Sequence, residues 1–368
     1  MKVILAPDSF KHCLRSGEIC RYLAEGLAGA EVLAIPLADG GEGTLEAAAA
    51  ARPGGERISV TVAGPFGTPV QAAFFLDDGG AVIESAAACG LELIRPEERN
   101  PRLATTLGVG ELIAHAAQHH ARRCMIGLGG SATVDGGYGM LAALGVKFLD
   151  ASGRALPPAG ALDRIAGCDP AGLRQDLPEL DAAADVENPL CGPEGAAPVF
   201  GPQKGADPAM VRELSAALER YQKIVSEAFG KPLSAPGDGA AGGLGFALRM
   251  LGAKRESGAE LMLQWSGFDR KIRGASLVIT GEGRSDAQTL QGKLPYIVAQ
   301  HAKKAKIPVV LVSGAVAQDS FEVLQKEFAA VISLCHEPED LPAALASAPE
   351  NLRRIGRNLY QLWKAAEQ

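Results

Sequence analysis

The chain has 368 residues, 47% of them apolar, which points to two domains with full hydrophobic cores. A net charge of −7, an aromatic content of 5% and the lack of a basic patch argue against nucleic acid or an anionic membrane as partner. The seven cysteines (Cys13, Cys20, Cys89, Cys124, Cys168, Cys191 and Cys335) form no CxxC pair, and the six histidines show no metal-ligand spacing, so a disulfide or zinc framework is not expected. The opening MKVILAPDSF is stopped at Pro7 and Asp8 before it reaches the length of a signal-peptide core, and no run approaches a membrane span. These features predict a cytoplasmic protein with reduced cysteines.

In chain order, Val3–Ala6 reads as a short buried strand followed by the loop Pro7-Asp8-Ser9-Phe10-Lys11. Ser16 is the expected N-cap of a helix whose apolar face carries Ile19, Leu23 and Leu27. Val32–Leu37 is a second strand, running into Ala38-Asp39-Gly40-Gly41-Glu42-Gly43-Thr44 and a helix over 45–51. The period then changes. Ile58, Val60 and Val62 alternate, as do Val70, Ala72 and Phe74, with Gly64–Gly67 and Asp77–Gly80 as turns, which predicts an antiparallel meander ending at Ile83. A helix is expected from Thr105 or Thr106 to His120, then a buried strand at Cys124–Ile126.

That strand breaks into Gly127, Gly129, Gly130, Ser131, Asp135, Gly136, Gly137 and Gly139, and a helical run over 140–144 follows. A strand, a glycine loop and a helix start together offer free backbone N–H groups to an anion, with Ser131 and Thr133 as hydroxyl donors. Further on, 147–153 suggests a small hairpin and 151–180 irregular chain. Leu180–Val186 is a strand carrying Asp185, followed by Asn188. Phe200–Gly205 is a glycine loop with Lys204, and Val211–Ala228 is a long amphipathic helix. Pro236–Gly245 is a further glycine loop opening a helix. The βα rhythm returns at Leu277–Thr280, whose strand is expected to end in the loop 281–286, with a helix from Lys293 to Lys304. Strands follow at Val309–Val312 and Val331–Leu334, with helices at Asp319–Phe328 and Asn351–Leu362.

The expected fold is α/β: a Rossmann-like parallel-sheet domain, discontinuous in sequence (1–60 plus 273–368), with an inserted mixed α/β domain (61–272) and the active site in the interdomain cleft. Carboxylates, lysines, an arginine and glycine backbone at strand ends are the mixture that phosphoryl transfer needs. No GxxxxGK[ST] occurs, no complete GxGxxG follows the first strand, and no protein-kinase HRD or DFG set is present. A small-molecule kinase without a P-loop is the best chemical reading. A nicotinamide-dependent dehydrogenase of a small hydroxy acid and a non-catalytic acid sensor are the rivals.

The motifs APDSFK (6–11), ADGGEGT (38–44), GLGGSATVDGG (127–137), DVENPLCG (185–192), FGPQKGA (200–206), PGDGAAGGLG (236–245) and TGEGRSDAQTLQGK (280–293) resemble, in order and over nearly the whole chain, those of the bacterial type-1 glycerate kinases. The resemblance implies ATP- and Mg²⁺-dependent phosphorylation of D-glycerate to 2-phosphoglycerate, with 3-phosphoglycerate as the alternative product. Its partners would be small molecules, and a homodimer is compatible with it. Asp185 or Asp8 would serve as base or hydroxyl-orienting carboxylate, and Lys11, with Arg284, would pair with the glycerate carboxylate. Ser9, Asp39, Glu42, Asn188, Arg284 and Asp286 would bind substrate, and Asp39, Glu282 and Asp286 the metal. Gly129, Gly130, Ser131, Asp135, Lys204 and Lys293 would hold phosphates. Four positions depart from the family pattern: His12 for Glu, Val134 for Asn, Glu187 for Thr or Asp, and Asp238 for a small residue. Val134 is expected to tune ligand affinity.

Overall fold

Five short apolar runs build one parallel sheet in the computed structural model of the protein, which describes residues 1–11 and 13–366. The strands lie in the order Ala330–Ser333, Val309–Val316, Leu277–Ser285, Lys2–Leu5, Glu31–Ala34, every pair parallel. Residues from both ends of the chain therefore share this sheet. Its core combines Val3, Leu5, Ile279, Val310 and Val312 with Ile19 and Leu23 of the helix Ser16–Gly26, and Leu352 and Ile355 of the helix Leu341–Ala366. These two helices meet closely because Gly26 has no side chain: a Cβ there would stand 2.2 Å from the Arg353 carbonyl oxygen. His12, one of the four departures, lies outside the described residues.

A second sheet has the order Lys254–Glu256, Glu179–Ala183, Arg123–Gly127, Gly80–Glu84, Pro69–Asp77, Glu56–Ala63. Its first four strands are parallel, and the last two join antiparallel as the expected meander. The alternation of Ile58, Val60 and Val62 has this pairing as its cause, since the outer strand Glu56–Ala63 buries one face, whereas Ala72–Phe75 in the next strand is buried on both. The helix Pro208–Phe229 covers part of this core. Asp207 caps it through the N–H groups of Ala209 and Met210, Pro208 starts it, and Gly230 in the left-handed region ends it. Inside, Tyr138 stands edge-on to Phe148 at 4.7 Å, and Tyr221 edge-on to Phe246 at 5.8 Å.

Contacts divide the chain into two units, one of Met1–Asp39, Glu46–Pro53 and the chain from Ala259 onward, the other of Gly40–Leu45 and Gly54–Gly258. No helix among the described residues is long and apolar enough to cross a membrane.

Several local expectations need correction. The strand from Leu277 does not stop at Thr280 but runs through Gly281, Glu282 and Arg284 to Ser285, paired with Val309–Val316. The glycine that suggested a loop permits the pairing instead, for a Cβ on Gly281 would sit 2.0 Å from the Val312 carbonyl oxygen. Likewise Ser313 and Gly314 lie within a strand. Ser16 is the first helical residue rather than the cap, and the helix start is closed by Glu18, which accepts the Arg15 N–H at 3.0 Å. The helix before the glycine loop is shorter, Leu107–Gln118. Lys147–Leu149 pairs with Gly167–Asp169, across a segment expected to be irregular. The helix expected over 319–328 is only Phe321–Leu324, whereas the last helix spans Leu341–Ala366.

Candidate active site

In the first unit, carboxylates converge where Lys2–Leu5 and Leu277–Ser285 end. The chain after Lys2–Leu5 is held to its neighbour by the Asp8 N–H, which donates to the Gly281 carbonyl at 2.9 Å. Asp8 is half-buried and its Oδ1 accepts the Ser9 N–H at 2.7 Å. Burial, with the Asp39 charge next in importance, pushes its carboxyl up from 3.8 to about 8; the Ser9 N–H and the exposed Lys11 oppose this, while Glu282 adds to it. Asp8 thus senses the charges of Asp39, Lys11 and Glu282.

Glu282 is buried and anchored. Its Oε1 accepts from Thr289 Oγ1 at 2.6 Å and Ser285 Oγ at 2.9 Å, and Ser285 Oγ also meets Ser313 Oγ at 2.6 Å. Burial raises this carboxyl too, against the two hydroxyls and the Lys293 ammonium. Lys293 Nζ stands 3.8 Å from Glu282 and 3.7 Å from Asp286, linking the two acids. Asp286 also caps the turn after its strand, accepting the Gln288 N–H at 2.9 Å. Arg284 projects from the same strand and is exposed.

The second unit holds the glycine loop. Gly129 N–H donates to the Gly40 carbonyl at 3.4 Å, and a Cβ on Gly129 would lie 2.7 Å from Gly41 Cα, so the segment Gly40–Leu45, with Glu42 exposed, lies directly against the loop. Gly130 takes the left-handed conformation, φ 72°. Behind it, Ser131 is 4% exposed and Lys204 2% exposed. The Lys204 ammonium donates to Ser131 Oγ at 2.9 Å and to the Thr133 carbonyl at 2.8 Å. Burial pulls it from 10.5 down to about 8, with Cys89 and Asp135 acting in the opposite sense.

Asp135 faces inward. It accepts from the Thr106 N–H and hydroxyl, both at 2.9 Å, from Gly137 N–H at 3.0 Å and from Gly139 N–H at 3.2 Å. One carboxylate thus binds the starts of the helices Leu107–Gln118 and Tyr138–Ala143. Burial still raises its carboxyl above the ordinary 3.8, because four donors only partly replace water. The sequence expectation that the helix starts at Thr105 or Thr106 missed this link, as the carboxylate that Thr106 meets is 29 residues away.

Asp185 follows the strand Glu179–Ala183, is exposed, and accepts the Gly258 N–H at 3.1 Å. Asn188 donates to the Glu194 carbonyl at 2.8 Å. The loop around them is tied to Pro236–Gly245, with Gly237 and Gly239 donating to the carbonyls of Glu187 and Asn188 at 3.1 and 2.9 Å.

Three departures from the family pattern have local explanations. Val134 is fully buried in the apolar core, so its side chain packs inside rather than facing a ligand. Asp238, 2% exposed, receives Arg249 through Nε at 2.7 Å and Nη2 at 2.8 Å, and the Ala235 N–H at 2.7 Å. Exposed Glu187 pairs with Arg255 at 2.8 Å. Among the described residues no three His, Cys, Asp or Glu side chains are arranged to hold a metal ion.

Carboxylates at the parallel-strand ends of one unit, a glycine loop backed by a buried cation in the other, and a sequence without a Walker A motif together match the chemistry of a phosphoryl-transfer enzyme outside the P-loop class. Comparison with known proteins narrows this class. The glycerate kinase family model matches residues 3–364. A glycerate kinase of Bacillus cereus is 42% identical, with 100% of this chain and 99% of that protein covered. A glycerate 2-kinase of Escherichia coli is 41% identical, covering 98% of this chain and 97% of that one. The crystal structure of a Salmonella typhimurium protein described as glycerate kinase 2 superposes with a TM-score of 0.89 at 41% identity, covering 100% of this chain and 99% of that one. The chain belongs to the glycerate kinase family and is a kinase.

Proposed function

We propose that the protein transfers the γ-phosphoryl group of ATP to the C2 hydroxyl of D-glycerate, giving ADP and 2-phosphoglycerate. The observation that carries this reading is the family match over residues 3–364. In this reading the C2 oxygen forms the new bond to phosphorus, the bond from phosphorus to the bridging oxygen breaks, and ADP leaves. Asp8 takes the hydroxyl proton. A carboxyl drawn up to about 8 is matched to proton transfer near neutral pH. Lys11 and Arg284 pair with the glycerate carboxylate, Arg284 through its planar fork. Ser9, Glu42 and Asn188 supply hydrogen bonds to the acid. Asp185, at its strand end, orients the substrate hydroxyls. Gly129, Gly130, Ser131 and Lys293 face phosphoryl oxygens, while Asp135 fixes the loop that presents them.

The carboxylate set fits Mg²⁺. Mg²⁺ takes one or two carboxylates and completes its shell with water and phosphate oxygens. Asp39, Asp286 and Glu282 are the acids that would supply them, Lys293 limiting the charge they accumulate. Bound there, the ion would neutralise phosphate charge.

The test is ADP release from MgATP with D-glycerate, against L-glycerate, tartronate and glycerol. Product converted by enolase alone places the phosphate on C2. Conversion that requires prior treatment with phosphoglycerate mutase places it on C3 and overturns the regiochemistry. Reduction of a nicotinamide nucleotide in place of ADP release would favour the dehydrogenase reading.

A further inference from the structure

Lys204 sits in a short turn, Pro202–Lys204, followed by Gly205 with φ 95°. A lysine in such a loop is usually solvated or reaches for a ligand. Here its ammonium is buried behind the glycine loop, and two of its three hydrogens are committed to Ser131 Oγ and the Thr133 carbonyl. The bond to Ser131 has a chemical consequence. An ammonium can only donate, so Ser131 Oγ must accept, and its own hydrogen must point elsewhere. Among the described residues no acceptor takes that hydrogen. The loop is also tied from behind, since Thr133 Oγ1 donates to the Ala241 carbonyl at 3.4 Å and the Ala132 N–H to the Cys89 carbonyl at 2.7 Å.

We infer that Lys204 is a positioning residue: it orients and polarises the Ser131 hydroxyl so that its O–H donates to a phosphoryl oxygen lying against Gly129 and Gly130. The inference rests on the phosphotransferase reading above and refines it, since Lys204 acts through Ser131 and not by touching the nucleotide. The bond to a cation makes the serine a stronger donor, and the hydroxyl is fixed before the ligand arrives.

The experiment is a double-mutant cycle on the full chain with Ser131→Ala, Lys204→Met and the pair, reading kcat and KM for ATP and D-glycerate. Removing one preorganised donor to developing phosphoryl charge costs roughly 10²-fold in kcat. Each single variant should lose about that much, and the double variant no more than either one. Ser131→Thr, which keeps the hydroxyl, should retain activity within about tenfold and remain sensitive to Lys204→Met. A multiplicative loss of about 10⁴-fold in the double variant, or wild-type kcat in Lys204→Met, overturns the inference. If Lys204→Met fails to fold by circular dichroism, Lys204→Gln, a neutral donor, carries the same cycle. The thermal shift given by ADP with inorganic phosphate, which needs no turnover, is read on all these proteins. Wild-type turnover with additive variants refutes the positioning role alone. Wild type with neither turnover nor thermal shift refutes both readings.

Discussion

Replacing Asp8 by Asn should make the protein less active and more stable at once. The carboxyl is drawn up from 3.8 to about 8, chiefly by burial and by Asp39. The folded state therefore holds this proton more tightly than the unfolded chain does. Between those two values the folded form binds more protons, so stability falls as pH rises, and above about 8 the full cost of the buried charge is present. Each pH unit in that window is worth about 1.4 kcal/mol, so pH 5 to 7.5 spans about 3 kcal/mol. Part of the proton uptake belongs to the pair with Asp39, and halving the figure leaves about 1.5 kcal/mol. For a unit of this size that is roughly 3–6 °C in the thermal midpoint. The assay is thermal unfolding of wild type and Asp8→Asn at several pH values in chelator, alongside kcat. The gap between the two proteins should open by that amount from pH 5 to 7.5, with kcat down by roughly 10²- to 10⁴-fold. Parallel pH slopes for the two proteins would refute the burial argument, and an undiminished kcat would remove Asp8 from proton transfer.

Asp185→Asn should lose at least about tenfold less turnover than Asp8→Asn, because an orienting contact is worth less than the base; the reverse ranking in the ADP-release assay would exchange their roles. Val134→Asn should cost about 1–3 kcal/mol in denaturant unfolding, as an amide buried among apolar side chains, and leave both KM values within about twofold. A large change in KM for either substrate would show that this position reads the ligand after all. Arg249→Met should cost about 3–5 kcal/mol by stranding the Asp238 carboxylate, and adding Asp238→Asn should recover most of it, measured by the same unfolding curves.

What the sequence could reveal about this protein depends on how local each cause is. The parallel strands were legible at Val3–Ala6 and Cys124–Ile126 because burial on both faces demands an unbroken apolar run. The meander was legible because one-faced burial imposes a period of two on Ile58, Val60 and Val62 in its outer strand. The extension of Leu277–Ser285 was not, because Glu282 and Arg284 there resemble loop residues and the reason for pairing lies in the neighbouring strand, at the Val312 carbonyl.

The same distinction separates the makeup of the site from its division of labour. Glycines next to acids and lysines at strand ends single out Asp8, Asp39, Ser131, Asp135, Lys204 and Glu282 without any coordinates. Which of them can touch a ligand is decided by partners far along the chain. Asp135 has its oxygens engaged by donors on Thr106, Gly137 and Gly139, and Lys204 gives two of its three hydrogens to Ser131 and Thr133. On the proposal above, Asp135 and Lys204 serve as supports behind the loop, and the Ser131 hydrogen is the one offered to the ligand. A motif therefore records where charge and hydroxyls gather. The hydrogen-bond accounting says which of them still has a bond to give.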